Sequence, residues 1–462
     1  MQKFILIFLL GFSICNAQVS FAPYISIPTG SWPEVVCVGD VNNDGRSDVV
    51  LGMASYFDTN NDYRIFIFTQ DNSGELNPAV KYPYTATSSD IETLDIADVD
   101  NDGLNDVVIG FGTKIGIFYQ NDSGTLNPIT EIVMPNLVKS LKVGDLNNDG
   151  LNDIAIAYYA NNVATLMQSA GGAFTTASYT CTTAYDAEIH IADLNGDGRQ
   201  DVVTKSSDQI HVLTQNLSGI LDTEAAYAIG SSIWGINGIA VGDLDNDGKS
   251  DVAASGGGNS PASKLYIWKQ NQTTHLLDSP SIISSYDVPE PIEIGDLNND
   301  GKNEIFEVHG GGSLSCYEQN ASGQYTSYDS FPLPYATHYN RQGFALGDFN
   351  NDGLKDVAVA DYNHGLVLLY NTSVSLSVNP VSKIATVNVY PNPFTDFVNV
   401  DFVDNREAGS EILLFDSLGS QILREANPAA ANNIDLRNYS SGIYYLKVSG
   451  PKGELTKKII KK

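Results

Sequence analysis

The chain has 462 residues, of which 10% are aromatic and 17% charged, so it can bury a sizeable core and is too apolar for a disordered protein. Lys and Arg total 25 against 55 Asp and Glu, a formal charge of -30 that argues against binding a nucleic-acid phosphate backbone and calls for a cationic partner.

Residues 1–17 open with a basic Lys3, continue through the apolar run Phe4 to Phe12 and end in Cys15-Asn16-Ala17. This pattern predicts a secretory signal peptide cleaved after Ala17. The bulky Ile14 before Cys15 makes lipid attachment at that cysteine the weaker reading. No later stretch reaches the roughly 18 apolar residues of a spanning helix, so no transmembrane segment is expected. Cys37, Cys181 and Cys316 remain, an odd number that implies no disulfide framework.

From there the chain repeats. The form Asp-x-Asn/Asp-x-Asp-Gly-x-x-Asp/Glu starts at Asp40, Asp98, Asp145, Asp193, Asp243, Asp296 and Asp348. Its mean spacing of about 51 residues suits one four-stranded propeller blade per repeat. A short apolar strand runs into each loop, as in Val35 to Gly39, and the residue before the first Asp is always Gly or Ala. That restriction marks an innermost strand, where backbones crowd around an axis. A second strand follows, as in Asp106 to Gly110, and a third in alternating register, as in Arg64 to Phe68. Turns such as Gln120-Asn121-Asp122-Ser123-Gly124 lead to a fourth strand with the polar character of an outer edge.

The seventh repeat lacks a fourth strand after Leu366 to Tyr370, while Phe21 to Ile27 precedes the first repeat without a blade of its own. The N-terminal segment is therefore expected to complete the last blade and close the ring. The predicted fold is all-β: a seven-bladed β-propeller over residues 18–373, a linker over 374–386, and a small Ig-like β-sandwich over 387–462.

In each loop, positions one, three, five and nine carry side-chain oxygen, the carbonyl of position seven can point inward, and Gly at position six permits the sharp turn. The first loop offers Asp40, Asn42, Asp44, Arg46 and Asp48, and the second Asp98, Asp100, Asp102, Leu104 and Asp106. The third offers Asp145, Asn147, Asp149, Leu151 and Asp153, and the fourth Asp193, Asn195, Asp197, Arg199 and Asp201. The fifth has Asp243, Asp245, Asp247, Lys249 and Asp251; the sixth Asp296, Asn298, Asp300, Lys302 and Glu304; the seventh Asp348, Asn350, Asp352, Leu354 and Asp356. Oxygen donors at this density select a hard cation of calcium size, so up to seven structural Ca²⁺ ions are expected. Zinc is disfavoured by the lack of His and Cys in the loops. An EF-hand is excluded because strands flank the loops and position twelve carries no regular Glu.

The loops resemble the FG-GAP/VCBS repeats of integrin-α-type propellers, over residues of about 21 to 373. That resemblance implies structural Ca²⁺ at the matching positions. Glu304 departs from the pattern at the end of the sixth loop, and no Arg-Gly-Asp is present, so integrin-like ligand recognition is not implied. The tail, with Val389-Tyr390-Pro391-Asn392-Pro393-Phe394, Asp416-Ser417-Leu418-Gly419 and Tyr439 to Val448 before a Lys-rich end, resembles the type A C-terminal sorting domain of the type IX secretion system. The resemblance implies the type IX machinery as a partner and export across the outer membrane, often with attachment to the cell surface.

Alternating strand directions put all seven acidic loops on one face of the disc. The opposite face is expected to gather Trp32, Tyr56, Tyr158, Tyr185, Trp234, Tyr339 and Tyr362, rings that suit stacking on sugars or protein contacts and equally suit packing between blades. Signatures of zinc proteases, serine hydrolases and phosphate loops are absent from the sequence. The leading functional expectation is a surface binding or adhesion module for a glycan or protein ligand. The alternative is a polysaccharide-acting enzyme working from the face opposite the loops.

Overall fold

The computed structural model describes residues 18–84, 89–159, 162–183, 187–222, 224–230, 235–320, 322–335, 340–373, 387–402, 411–416, 420–426, 428–429, 431–450 and 453–462. The expected signal peptide and linker lie outside them. Two compact units divide the chain, Met1–Val374 and Ser375–Lys462.

In the first unit, seven four-stranded antiparallel sheets are found among the described residues. Their first strands are Pro33–Gly39, Ile91–Ala97, Val138–Gly144, Ile189–Ala192, Ile236–Gly242, Pro289–Gly295 and Phe344–Gly347, and the sheets are labelled I to VII in that order. Each first strand packs beside the next, and Phe344–Gly347 packs beside Pro33–Gly39, so the cycle closes. Closure leaves only short inner edges, each protected by the neighbouring sheets.

Strand position dictates burial. The second strands of sheets I and II, Asp48–Met53 and Asp106–Phe111, are buried at every residue because neighbouring sheets cover both faces. The fourth strands, such as Val80–Pro83, are largely exposed. The core is therefore distributed between sheets. Val35, Ile65, Val107 and Phe111 cluster between sheets I and II, whereas Val49, Phe66, Ala358 and Leu368 cluster between I and VII.

The small residue before each loop has a steric cause. A Cβ on Gly347 would lie 2.3 Å from Val38 Cγ1, and one on Gly242 would lie 2.7 Å from Ile294 Cγ2. Each glycine thus admits the apolar side chain of the next inner strand.

Sheet VII is completed by the N-terminus. Ile25–Ile27 pairs antiparallel with Gly365–Leu369, in the register Ile25 with Leu368 and Ile27 with Leu366. Further along, the Ala22 amide donates to Tyr370 O at 2.9 Å, and the Thr372 amide donates to Ser20 O at 2.8 Å.

The second unit holds a three-stranded sheet and a four-stranded sheet. Val398, Val400 and Ile434 from the first share one core with Ile412, Leu414 and Leu446 from the second. The buried Lys461 ammonium donates to Leu436 O and Tyr439 O, which fastens the last strand.

One buried acid makes the propeller's stability depend on pH. Glu307, in the second strand of sheet VI, is fully buried and accepts hydrogen bonds from Ser285 Oγ and from Tyr317 OH at 2.8 Å. Burial pushes its carboxyl up to about 7, because the two donors only partly replace lost hydration. The folded value lies above the unfolded one, so the protonated acid favours folding below about pH 4.5 and this contribution is lost as pH rises through 7. A Glu307→Gln variant should not show that loss: urea denaturation should find it gaining on the parent, on the order of 2 kcal/mol, between pH 4.5 and 8. Deleting residues 18–28 removes the strand that closes the ring. Calorimetry should then show a broader transition, with Tm lowered by about 5 °C or more.

Candidate metal loops and the opposite face

Each acidic loop is held by its own first and last residues. Asp40 Oδ2 accepts the Gly45 amide at 2.8 Å, and its Oδ1 accepts the Asp44 amide at 3.2 Å. The same long-range cap recurs from Asp98 to Gly103, Asp193 to Gly198 and Asp348 to Gly353. Asn43 and Gly45 have φ of 59° and 82°, a left-handed pair that curls the chain around the carboxylates. Asn42 Oδ1 accepts from Asp44 N at 3.0 Å, and Asp44 Oδ1 from Arg46 N at 3.0 Å.

Position nine behaves differently. Asp48, Asp106, Asp153, Asp201 and Asp356 are fully buried, and Asp251 and Glu304 nearly so. Asp48 accepts the Val41 amide at 3.2 Å within the loop and the Gln70 amide at 2.9 Å beyond the third strand, so it ties three strands together. Equivalent pairs are Val99 with Gln120 on Asp106, Leu194 with Gln215 on Asp201, and Phe349 with Asn371 on Asp356. Glu304 reaches only the first partner, Leu297 N at 2.9 Å, and takes Asn298 Nδ2 as its second. Its longer side chain replaces the strand-three tie with a bond inside the loop.

Burial pushes Asp48, Asp153 and Asp251 up to about 6, and Asp106, Asp201 and Asp356 up to about 7, even though each accepts two backbone amides. Glu304 rises to about 8. Neighbouring carboxylates of the same loop add to the effect, as Asp44 and Asp40 do for Asp48. Oxygens of Asp98, Asp100 and Asp106 all lie within 4.8 Å of one another, as do those of Asp243, Asp245 and Asp251, and of Asp296, Asp300 and Glu304. These are cages of hard oxygen donors around a point where negative charge is concentrated, and their chemistry fits a cation of calcium type. At position seven, the Arg46 guanidinium turns back onto Asp44 at 2.6 Å, and Arg199 likewise meets Asp197.

The loops are also joints between sheets. Gln70 Nε2 donates to Asp348 O at 3.4 Å, Gln270 to Asp193 O at 3.3 Å, Gln319 to Leu244 O at 3.2 Å, and Asn371 Nδ2 to Leu297 O at 2.7 Å. Gln168 and Gln215 reach Val99 O and Leu146 O in the same way. Each side chain therefore grips the loop of the preceding sheet, and Gln70 carries the belt from sheet I back to sheet VII. Asn105, Asn152 and Asn303 add bonds to Asp40 O, Asp98 O and Asp243 O. In the sequence, Gln70, Gln120 and Gln319 read as the first residues of ordinary hairpin turns. The usable signal was the recurrence of a Gln, or once an Asn, at or just after the end of the third strand in all seven repeats: Gln70, Gln120, Gln168, Gln215, Gln270, Gln319 and Asn371, of which the Gln120 side chain makes no hydrogen bond.

On the opposite face, the aromatic expectation divides. Trp32 is stacked on both sides, with Tyr56 at 4.4 Å and Tyr362 at 4.2 Å between centroids, so neither face of the indole is open to a ligand. Tyr158 is 1% exposed and belongs to the core between sheets II and III. Tyr185, Trp234 and Tyr339 lie outside the described residues. Tyr56 is 50% exposed, and beside it Phe57 is 99% exposed at a φ of 60°. An aromatic residue held in that conformation on the surface is uncommon.

This architecture is that of a β-propeller. Among solved structures, the chain resembles one titled as the structural basis of specific recognition of non-reducing terminal N-acetylglucosamine by an Agrocybe aegerita lectin, with 14% identity and a TM-score of 0.51, over 74% of this chain and 86% of that one. It also resembles BBS1N in complex with ARL6DN, with 10% identity and a TM-score of 0.51, over 79% of this chain and 98% of that one. No curated protein sequence matches the chain.

The family models give the finer assignment. FG-GAP-like repeats match residues 98–156, 145–204, 193–254 and 296–359, and a secretion system C-terminal sorting domain matches residues 388–462. The chain is an FG-GAP-repeat β-propeller protein with a type IX sorting domain, exported across the outer membrane. Among the described residues, no helix is long and apolar enough to cross a membrane.

The belt predicts a mutational cost away from any acidic residue. Asn371 is buried, donates also to Lys355 O at 2.9 Å and accepts the Ser373 amide at 2.8 Å. Asn371→Ala leaves these groups unsatisfied and should lower stability by about 2–4 kcal/mol in urea denaturation.

Proposed function

We propose that this protein is an exported, calcium-clipped β-propeller that serves as a binding or adhesion module for extracellular glycan. The observation that carries the metal reading is the buried position-nine carboxylate, repeated in every loop beside further carboxylates. Such an arrangement of like charge is compensated by a divalent cation. Positions one, three, five and nine of each loop would hold the ion, with the carbonyl of position seven as a further donor. The bound ion would neutralise the loop and stiffen the joint between adjacent sheets.

Placing the ions in a structural belt leaves ligand recognition to other surfaces. Tyr56 and Phe57 present an exposed aromatic pair on the face away from the loops, and apolar ring faces of this kind stack on sugars. The likeness in fold to a lectin that recognises N-acetylglucosamine is compatible with this role. The sorting domain supplies the extracellular setting.

Calorimetry of the mature chain tests the metal reading. Chelation with EDTA should lower Tm by at least about 10 °C and added Ca²⁺ should restore it, since ligand binding to the folded state alone stabilises by mass action. An unchanged Tm would remove calcium from the account. A glycan array probed with the parent and with the Tyr56→Ala/Phe57→Ala variant tests the binding role; an array silent for the folded, calcium-loaded parent would sink it.

A further inference from the structure

A groove of about 410 Å³ lies between sheets V and VI, on the side of the disc that carries the acidic loops. Its apolar wall includes Ile283 and the ring of Tyr325; its polar wall includes Lys269, Asp278, Ser279 and Gln324. The volume falls within the range of about 300–1,000 Å³ usual for small-ligand sites, room for one or two pyranose rings.

Ser279, Gln324 and one oxygen of Asp278 are free to act on a ligand. Among the described residues, the Ser279 hydroxyl and the Gln324 side-chain amide make no hydrogen bond within the protein; it is the Gln324 backbone amide that donates to Asn320 Oδ1, at 3.1 Å. Asp278 Oδ1 accepts Asn271 Nδ2 at 3.0 Å, which leaves Oδ2 as an acceptor. Tyr325 OH donates to Asn303 O at 2.6 Å, which fixes the ring as a wall.

Comparison of the repeats singles this groove out. The residue before the belt Gln or Asn is Thr69, Tyr119, Met167, Thr214, Lys269, Glu318 or Tyr370, so only sheet V places a lysine there. The residue bridged to the belt Gln is Leu76, Leu126, Leu221 or Leu277 in sheets I, II, IV and V, and Tyr325 in sheet VI. Between Gln270 and Leu277, the turn of sheet V is one residue longer than that between Gln215 and Leu221. The departures from the repeat thus fall on the two sides of one cleft.

We propose that this groove is a subsite for a neutral sugar residue, an assignment that rests on the glycan-binding role above but moves recognition to the loop side. Donors and acceptors are both offered, by Ser279, Gln324 and Asp278, which suits vicinal hydroxyls, while Tyr325 and Ile283 suit the apolar face of a pyranose ring. An anionic sugar is disfavoured: the Lys269 ammonium is 3.3 Å from Asp245 Oδ2 and the protein carries a net charge of -30. A cationic ligand would have to approach that same ammonium.

The experiment is saturation-transfer difference NMR of the calcium-loaded mature chain with the methyl glycosides of glucose, galactose, mannose and N-acetylglucosamine. Ser279→Trp, which fills the groove, and Gln324→Ala, which removes a polar partner, both alter exposed positions. Calorimetry of each variant confirms folding. At least one glycoside should bind the parent and weaken tenfold or more in both variants. Binding that survives both groove changes and is lost in Tyr56→Ala overturns the groove while leaving the glycan-binding role. Absence of binding by every glycoside and glycan overturns both. Binding of an oligolysine peptide in place of sugars overturns the chemistry assigned to the groove.

Discussion

The structure depends on a buried carboxylate at the end of each acidic loop. Asp48 and the five other aspartates at this position accept one amide from the loop they close and another from the end of the third strand, so a single side chain sets the relation of three strands. Burying such a group costs several kcal/mol, and two hydrogen bonds offset only part of that. The loops place further carboxylates beside it instead of a basic residue, and the raised carboxyl pKa values record the result. A fold that repeats this arrangement around its whole circumference concentrates negative charge in every loop.

That repetition also explains how the ring coheres. Among the described residues, apolar clusters lie between consecutive sheets, and the loops are stitched to their neighbours by the belt of Gln and Asn side chains. A linear array of this kind would fray at its ends. Here Ile25–Ile27 joins sheet VII, and Gln70 grips the loop of that same sheet, so both termini of the array are locked.

The loops and the sorting tail were legible in the sequence because their determinants are local. Gly45 and its equivalents, the alternation of oxygen-bearing residues, and the strand that follows are all specified within nine to fifteen residues. The ring closure was legible by elimination, since one strand was missing at one end and spare at the other. The belt was not, because a Gln after a strand reads the same whether it finishes a turn or crosses to another sheet. The aromatic face misled for a related reason. Tyr158 and Trp32 stand at positions that could face solvent, yet Tyr158 is enclosed between sheets and Trp32 lies between Tyr56 and Tyr362.

By itself, then, the sequence determined the repeat, the strand order within it, the oxygen chemistry of the loops and the destination of the chain, because each is written in short-range pattern. Only the tertiary structure decided which carboxylates are buried, which glutamines cross between sheets and which aromatic rings are covered. It also decided that Lys269 and Tyr325, 56 residues apart in the chain, line one cleft. These outcomes turn on which neighbour the closed ring brings alongside each residue, and the local pattern, nearly the same in every repeat, carries no record of that.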